Sequence, residues 1–170
     1  WAVTDGSLAA GETLDGTLSR AAGENVGGYA ITGELAGHTA TDNYTVTLND
    51  GMLTINPRPI VVSADDLIKI YGESDPELTY AQAGTPAFEE TINVSLTREP
   101  GSDVGGYVIT PTVTGDVLSD NYDLTVTNGA LQITPAALTV TADDLETYWD
   151  LLPAQFPRTI DGLANGDTEA

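Results

Sequence analysis

The sequence predicts a mostly β protein laid out as small β-rich modules of about 78 residues in an elongated tandem array. Two observations carry this. The first is a pattern written twice. Val26-Gly27-Gly28-Tyr29-Ala30-Ile31-Thr32, Asp42-Asn43-Tyr44, Gly51, Leu53-Thr54-Ile55 and Pro57 return as Val104-Gly105-Gly106-Tyr107-Val108-Ile109-Thr110, Asp120-Asn121-Tyr122, Gly129, Leu131-Gln132-Ile133 and Pro135, each 78 residues later. Residues 16–67 and 94–145, aligned without gaps, are identical at 23 of 52 positions. The second is the texture between those anchors: short runs of β-branched and aromatic residues, punctuated by Gly, Pro, Asn and Asp.

Three segments follow from the offset. Residues 1–57 read as the C-terminal part of a repeat, 58–135 as a complete repeat and 136–170 as the N-terminal part of a further one. The chain therefore reads as a stretch of a longer array. In the first segment, Thr17–Arg20 and Val26–Thr32 are expected strands, with Gly27-Gly28 as a bulge or close backbone approach. Tyr44–Leu48 and Met52–Ile55 flank Asn49-Asp50-Gly51, which predicts a hairpin because an Asp-Gly step favours positive φ. Tyr44, Val46, Leu48, Leu53 and Ile55 should then share one face, with Thr45 and Thr47 toward water.

In the complete repeat, Ile60–Ala64 is a strand with Ile60, Val62 and Ala64 on one side. Lys69–Pro76 reads as a structured turn and Leu78–Tyr80 as a strand. Phe88–Ile92 is read as one helical turn. Val94–Arg98, Tyr107–Thr114, Tyr122–Thr127 and Leu131–Thr134 are strands, the last two forming a second hairpin across Asn128-Gly129. In the third segment, Leu138–Leu145 matches Ile60–Leu67. A one-residue loss then aligns Trp149 and Asp150 with Gly72 and Glu73. Thr159–Thr168 resembles Thr4–Thr13 with one gap.

Composition narrows the function. The chain has 26 acidic and five basic residues, a net charge of −21. A phosphate-binding surface needs clustered Lys and Arg, so nucleic acid is an unexpected partner, and so are anionic membranes. No apolar run is long enough to span a bilayer, so no membrane insertion is expected. There is no cysteine, so the modules fold without disulfides and cysteine catalysis is excluded.

Candidate chemistry is sparse. His38 is the only histidine, and Asp116 stands at its second-copy position, so no triad or zinc site is framed. The paired glycines precede no Gly-Lys-Ser/Thr, so they are not a phosphate loop. Lys69 has no lysine counterpart in the third copy, which weighs against an isopeptide cross-link. Calcium is the one ligand considered, since it takes carboxylate and carbonyl oxygens. Its candidates are Asp65, Asp66, Asp75, Asp143 and Asp144, with Asp42, Asp120 and Asp150 behind them; no cofactor is required. Tyr29, Tyr44, Tyr107 and Tyr122 are read as framework packing, and Trp149 with Tyr148 as a contact between modules or a glycan platform.

These residues carry a resemblance. Val62 to Tyr80 (Val-x-Ala-Asp-Asp, then Lys-x-Tyr-Gly-x-x-x-Pro-x-Leu-x-Tyr), Val104 to Ile109, and Asn121 to Pro135 together resemble the MBG repeat of the YGX/YDG type. The shared signature comprises Gly28, Tyr29, Asn43, Tyr44, Gly51, Pro57, Tyr71, Gly72, Gly106, Tyr107, Asn121, Tyr122, Gly129 and Pro135. The resemblance implies a small β-rich, β-grasp-like module, and with so little candidate chemistry no enzymatic activity is expected. It also implies tandem use in large secreted bacterial surface proteins and adhesins, hence an extracellular or cell-surface location. The expected role is a structural stalk or fibre-forming region whose partners are neighbouring repeats and other copies in a fibre. The alternative is an adhesion module for a host or matrix glycan.

Overall fold

A computed structural model describes residues 6–38 and 44–168, and the side chains of all of these except 37 and 38. The described residues form twelve strands and one 3-10 turn, Asp116–Leu118, with no α-helix. The strands are β1 (Leu14–Arg20), β2 (Gly27–His38), β3 (Gly51–Ile55), β4 (Arg58–Ala64), β5 (Leu67–Ile70), β6 (Tyr80–Ala83), β7 (Ile92–Arg98), β8 (Gly105–Gly115), β9 (Tyr122–Thr127), β10 (Gly129–Thr134), β11 (Thr139–Ala142) and β12 (Arg158–Asp161). The chain divides into two compact units. One holds the residues up to Arg58 with Ser119–Asp123; the other holds Pro59–Leu118 with the residues from Leu124 onward.

The first unit is an antiparallel sheet in the order β1-β2-β3. Its register shifts between Asp15 and Gly16, so the bulge lies there and not at Gly27-Gly28. Gly28 instead opens β2 beside the Met52 thioether, 3.0 Å from where a Cβ would stand. The predicted first hairpin does not form. Tyr44–Asp50 is not strand, and β3 pairs with the start of β2, Gly27 opposite Ile55 and Ile31 opposite Gly51. Asp42 and Asn43 lie outside the described residues.

The second unit holds a mixed sheet, β5-β10-β8-β7, in which β5 runs parallel to β10 and the other pairs are antiparallel. A three-stranded sheet has the order β6-β4-β9, and β11 and β12 form an antiparallel pair. The alternation read in β4 holds: Ile60, Val62 and Ala64 are buried and Val61 is exposed. Ala64, Ile109, Leu131 and Ile133 form the buried core, with Leu67, Tyr71, Leu78, Leu96 and Tyr107 packed around it. Fully burying a side chain such as Ile109 or Leu131 stabilises the fold by about 1.5–3 kcal/mol.

The second predicted hairpin is also absent. The strands on either side of Asn128-Gly129 enter different sheets, β9 beside β4 and β10 between β8 and β5. Gly129 is needed for space and not for a positive φ: a Cβ there would lie 2.5 Å from the Asp65 carbonyl oxygen and 2.8 Å from that of Ala64. The predicted strand Leu78–Tyr80 is shifted to Tyr80–Ala83. Phe88–Ile92 is not helical. Phe88 has a φ of 54°, Glu90 N–H closes a tight turn onto Ala87 O at 3.2 Å, and Ile92 already begins β7.

The early strands of the second and third copies share a register. Val61–Ala64 pairs with Ala83–Tyr80, and Thr139–Ala142 with Asp161–Arg158. The turns after them correspond too: Glu73 N–H donates to Ile70 O, and Leu151 N–H to Tyr148 O. Lys69 Nζ donates to Glu73 O, and Thr147 Oγ1 to Leu151 O. Trp149 and Asp150 therefore stand where Tyr71 and Gly72 stand, one position away from the alignment expected from sequence.

Candidate functional site

Five of the signature residues, Tyr29, Tyr71, Gly72, Tyr107 and Asn121, lie at two kinds of place: a clamp inside each copy, and contacts between copies. The clamp is built on the strand that ends in arginine. Arg98 closes β7, and its Nη1 donates to Glu99 O (2.6 Å) and Gly101 O (2.8 Å). Its guanidinium lies 5.5 Å from the centre of the Tyr107 ring, a cation–π distance. The Tyr107 hydroxyl donates to Asp103 O at 2.9 Å. Arg20 repeats this in the first unit with Ala21 O, Gly23 O and the Tyr29 ring at 5.8 Å, while Tyr29 donates to Asn25 O. A Cβ on Gly23 or Gly101 would overlap the tyrosine ring. The sequence held a signal for this clamp: Arg20 and Arg98 are the only basic residues that recur at the common offset.

In the second unit the clamp carries a charge centre. Asp75 accepts from Arg98 Nε at 2.6 Å and from the nearly buried Lys69 Nζ at 2.8 Å. The Arg98 hydrogen bond, then that of Lys69, holds the Asp75 carboxyl below its ordinary value. The Lys69–Asp75 ion pair closes the Lys-x-Tyr-Gly turn on itself, and the Arg98–Asp75 pair ties that turn to β7.

Three of the other calcium candidates turn to protein donors as well. Asp65 accepts from the Thr79 hydroxyl, Asp66 from Ala130 N–H and Asp143 from the Thr159 hydroxyl. Asp116 accepts from Thr91 N–H and from the Thr91 hydroxyl, which lower its pKa in that order. Among the described residues there is no group of three or more His, Cys, Asp or Glu side chains that could hold a metal ion.

Contacts between copies engage signature residues directly. Within the first unit, Asn121 accepts from Val26 N–H through Oδ1 (2.9 Å) and donates through Nδ2 to Asn25 Oδ1 (3.1 Å). Its backbone carbonyl accepts from Arg58 N–H. Within the second unit, the Tyr71 hydroxyl donates to Asp167 Oδ2 at 3.0 Å and accepts from Asn165 Nδ2 at 3.4 Å. Gly72, at a φ of 88°, faces Ala164 so closely that a Cβ on it would lie 2.5 Å from the alanine methyl. Val104, Pro135, Leu138, Leu163 and Ala164 line the cleft beside Tyr71.

The family model for the MBG domain (YGX type) matches residues 2–54 and 60–132. The chain belongs to this family. Its two matched stretches are tandem MBG domains, and the Tyr71-Gly72 step lies within the second of them. No curated protein and no solved structure matches the chain. The larger MBG groove, about 540 Å³ in the first unit, is lined by Leu8, Leu14, Leu18, Leu35, Val46 and Leu48. Among the described residues of its lining, the titratable groups are Glu34 and Tyr44. Tyr148 and Trp149 are largely exposed, at 75% and 93%.

Proposed function

We propose that this chain is part of a structural stalk or fibre built of MBG repeats on an extracellular bacterial adhesin or surface filament, without enzymatic activity. The observation that supports this most is where the family signature sits. Tyr71, Gly72 and Asn121 contact the neighbouring copy, and Tyr29 and Tyr107 lock a loop of their own copy; none converges on a reactive group. Recurring signature residues spent on packing and junctions suit a linear array, in which each module contacts mainly its neighbours. Support for a β-grasp-like module comes from the parallel β5–β10 pair inside a mixed sheet. Pro57, Pro59 and Pro135 restrict the backbone at the two crossings between copies. No helix among the described residues is long and apolar enough to cross a membrane.

The net charge of −21 gives neighbouring chains mutual repulsion and keeps such an array soluble. Electron microscopy of the native material tests the reading. Rods or fibres with a repeat of about 30–40 Å, the size of a compact domain this small, are expected. Compact single particles would overturn it.

One observation favours a second reading. The exposed Tyr148–Trp149 pair offers flat aromatic faces to solvent, as sugar-binding surfaces do. Binding of the 170-residue chain to an immobilised glycan panel, lost in Trp149→Ala, would favour the adhesion module over the stalk.

A further inference from the structure

The Tyr71-Gly72 step has a specific occupant. The turn seated on it, Ala164-Asn165-Gly166-Asp167, belongs to the third copy and is closed by Asp167 N–H donating to Ala164 O at 2.9 Å. A turn closed by the same backbone hydrogen bond occurs in the other two copies, with a different distribution of positive φ. Glu12 N–H donates to Ala9 O, and Glu90 N–H to Ala87 O. In all three the first residue is alanine and the fourth is acidic. Alanine is small enough to reach Gly72, and the acid is what the tyrosine hydroxyl donates to. The repeat thus carries a socket on its early turn and a matching plug later in its own sequence.

We propose that the Tyr-Gly step is the fastening between consecutive repeats. It receives the Ala-x-x-acid turn of the following repeat, and the Trp149-Asp150 pair removes that fastening from the third copy. Trp149 has no hydroxyl to donate to the acid. Asp150 lacks the positive φ of Gly72, puts a side chain where the alanine methyl would sit, and brings a carboxylate toward the acid of the plug. A repeat that follows the third copy therefore meets no socket, and that junction bends while the one before it is stiff. The inference rests on reading the chain as a tandem array, but fails separately from it: modules could form a fibre through their proline crossings alone.

The test uses the whole 170-residue chain and amide nitrogen relaxation. In the unaltered protein, the amides of 59–118 and of 139–167 share one tumbling time. Ala164→Leu drives a branched side chain into Gly72 without touching any strand. It is expected to leave β8 and β10 intact and give residues 139–167 a distinctly shorter tumbling time. Tyr71→Trp with Gly72→Asp transplants the third-copy pair into the second copy and is expected to do the same. Ala164→Gly keeps the tyrosine–acid hydrogen bond and is expected to keep one tumbling time, which separates loss of the fastening from unfolding of the third copy. Two tumbling times in the unaltered chain, or one in Ala164→Leu, would overturn the proposal.

Discussion

Three pairs of residues are identical at the 78-residue offset and differ in burial. Ile31, Leu53 and Ile55 of the first unit correspond to Ile109, Leu131 and Ile133 of the second. Their strands pair in the same register, Gly27 with Ile55 and Gly105 with Ile133. Yet Ile109, Leu131 and Ile133 are fully buried, whereas Leu53 is 38% exposed and Ile31 and Ile55 are half-buried. The difference lies in what surrounds the shared hairpin-like pair. In the second unit β10 has β5 on its other edge, and Ala64, Leu67, Tyr71 and Leu78 close the core. All of these come from the early half of a repeat. The late half makes the strands, and the early half makes them a core.

The clamps show the same asymmetry. Arg20 and Arg98 hold equivalent carbonyls and equivalent rings. Arg20 takes its carboxylate from Glu24, four residues away and mostly exposed, whereas Arg98 takes Asp75 from the Lys-x-Tyr-Gly turn. One clamp ties a loop to itself; the other ties the early half of the repeat to the late half.

Mutations at matched positions should therefore have unmatched effects. The largest is expected in the core. Leu131→Ala should cost about 2–5 kcal/mol, the range for truncating a buried leucine, and Leu53→Ala about 1 kcal/mol. Urea unfolding followed by residue-resolved NMR measures both, and equal losses would break the comparison. Gly23→Ala and Gly101→Ala sharpen it from the other side. Each pushes a methyl into a tyrosine ring, so each should cost about 1–3 kcal/mol, equally in the two units.

The arginines come next. Arg98→Met leaves Asp75 and two carbonyls without their donor and should cost about 2 kcal/mol. Arg20→Met removes a local, exposed pair and should cost about 0.5 kcal/mol. Acid titration gives the smallest effect. The folded-state pKa of Asp75 is depressed from 3.8, so its ion pairs stabilise the fold fully above that value and lose their contribution as pH falls through the lower folded value. The stability gap between the unaltered protein and Asp75→Asn should be constant at neutral pH and close below about pH 3.8. A gap that widened on acidification would contradict the assignment.

Much of this was legible from alternation and recurrence. The Ile60–Val62–Ala64 face, the tandem copies, and the strands expected at Val94–Arg98 and Tyr107–Thr114, observed as Ile92–Arg98 and Gly105–Gly115, follow from alternation and recurrence, because each of these strands buries one face. The two hairpins were misread because Asp50-Gly51 and Asn128-Gly129 look like turn residues. Only the long-range packing of Gly129 on Ala64 and Asp65 reveals a different need for glycine. Leu67–Ile70 was hidden as a strand because its partner, β10, is more than 60 residues away and parallel. The socket at Tyr71-Gly72 was visible as a signature but not as a contact, since its occupant lies 92 residues further on, counting from Gly72 to Ala164.

Stretching a single 170-residue chain by its ends tests most directly the claim that only a repeat with both halves closes a core. The account predicts one discrete rupture that releases on the order of 250 Å of chain, the extended length of one such repeat, while the flanking segments extend at lower force. Smooth extension with no rupture, or a single event that releases the whole chain, would contradict it.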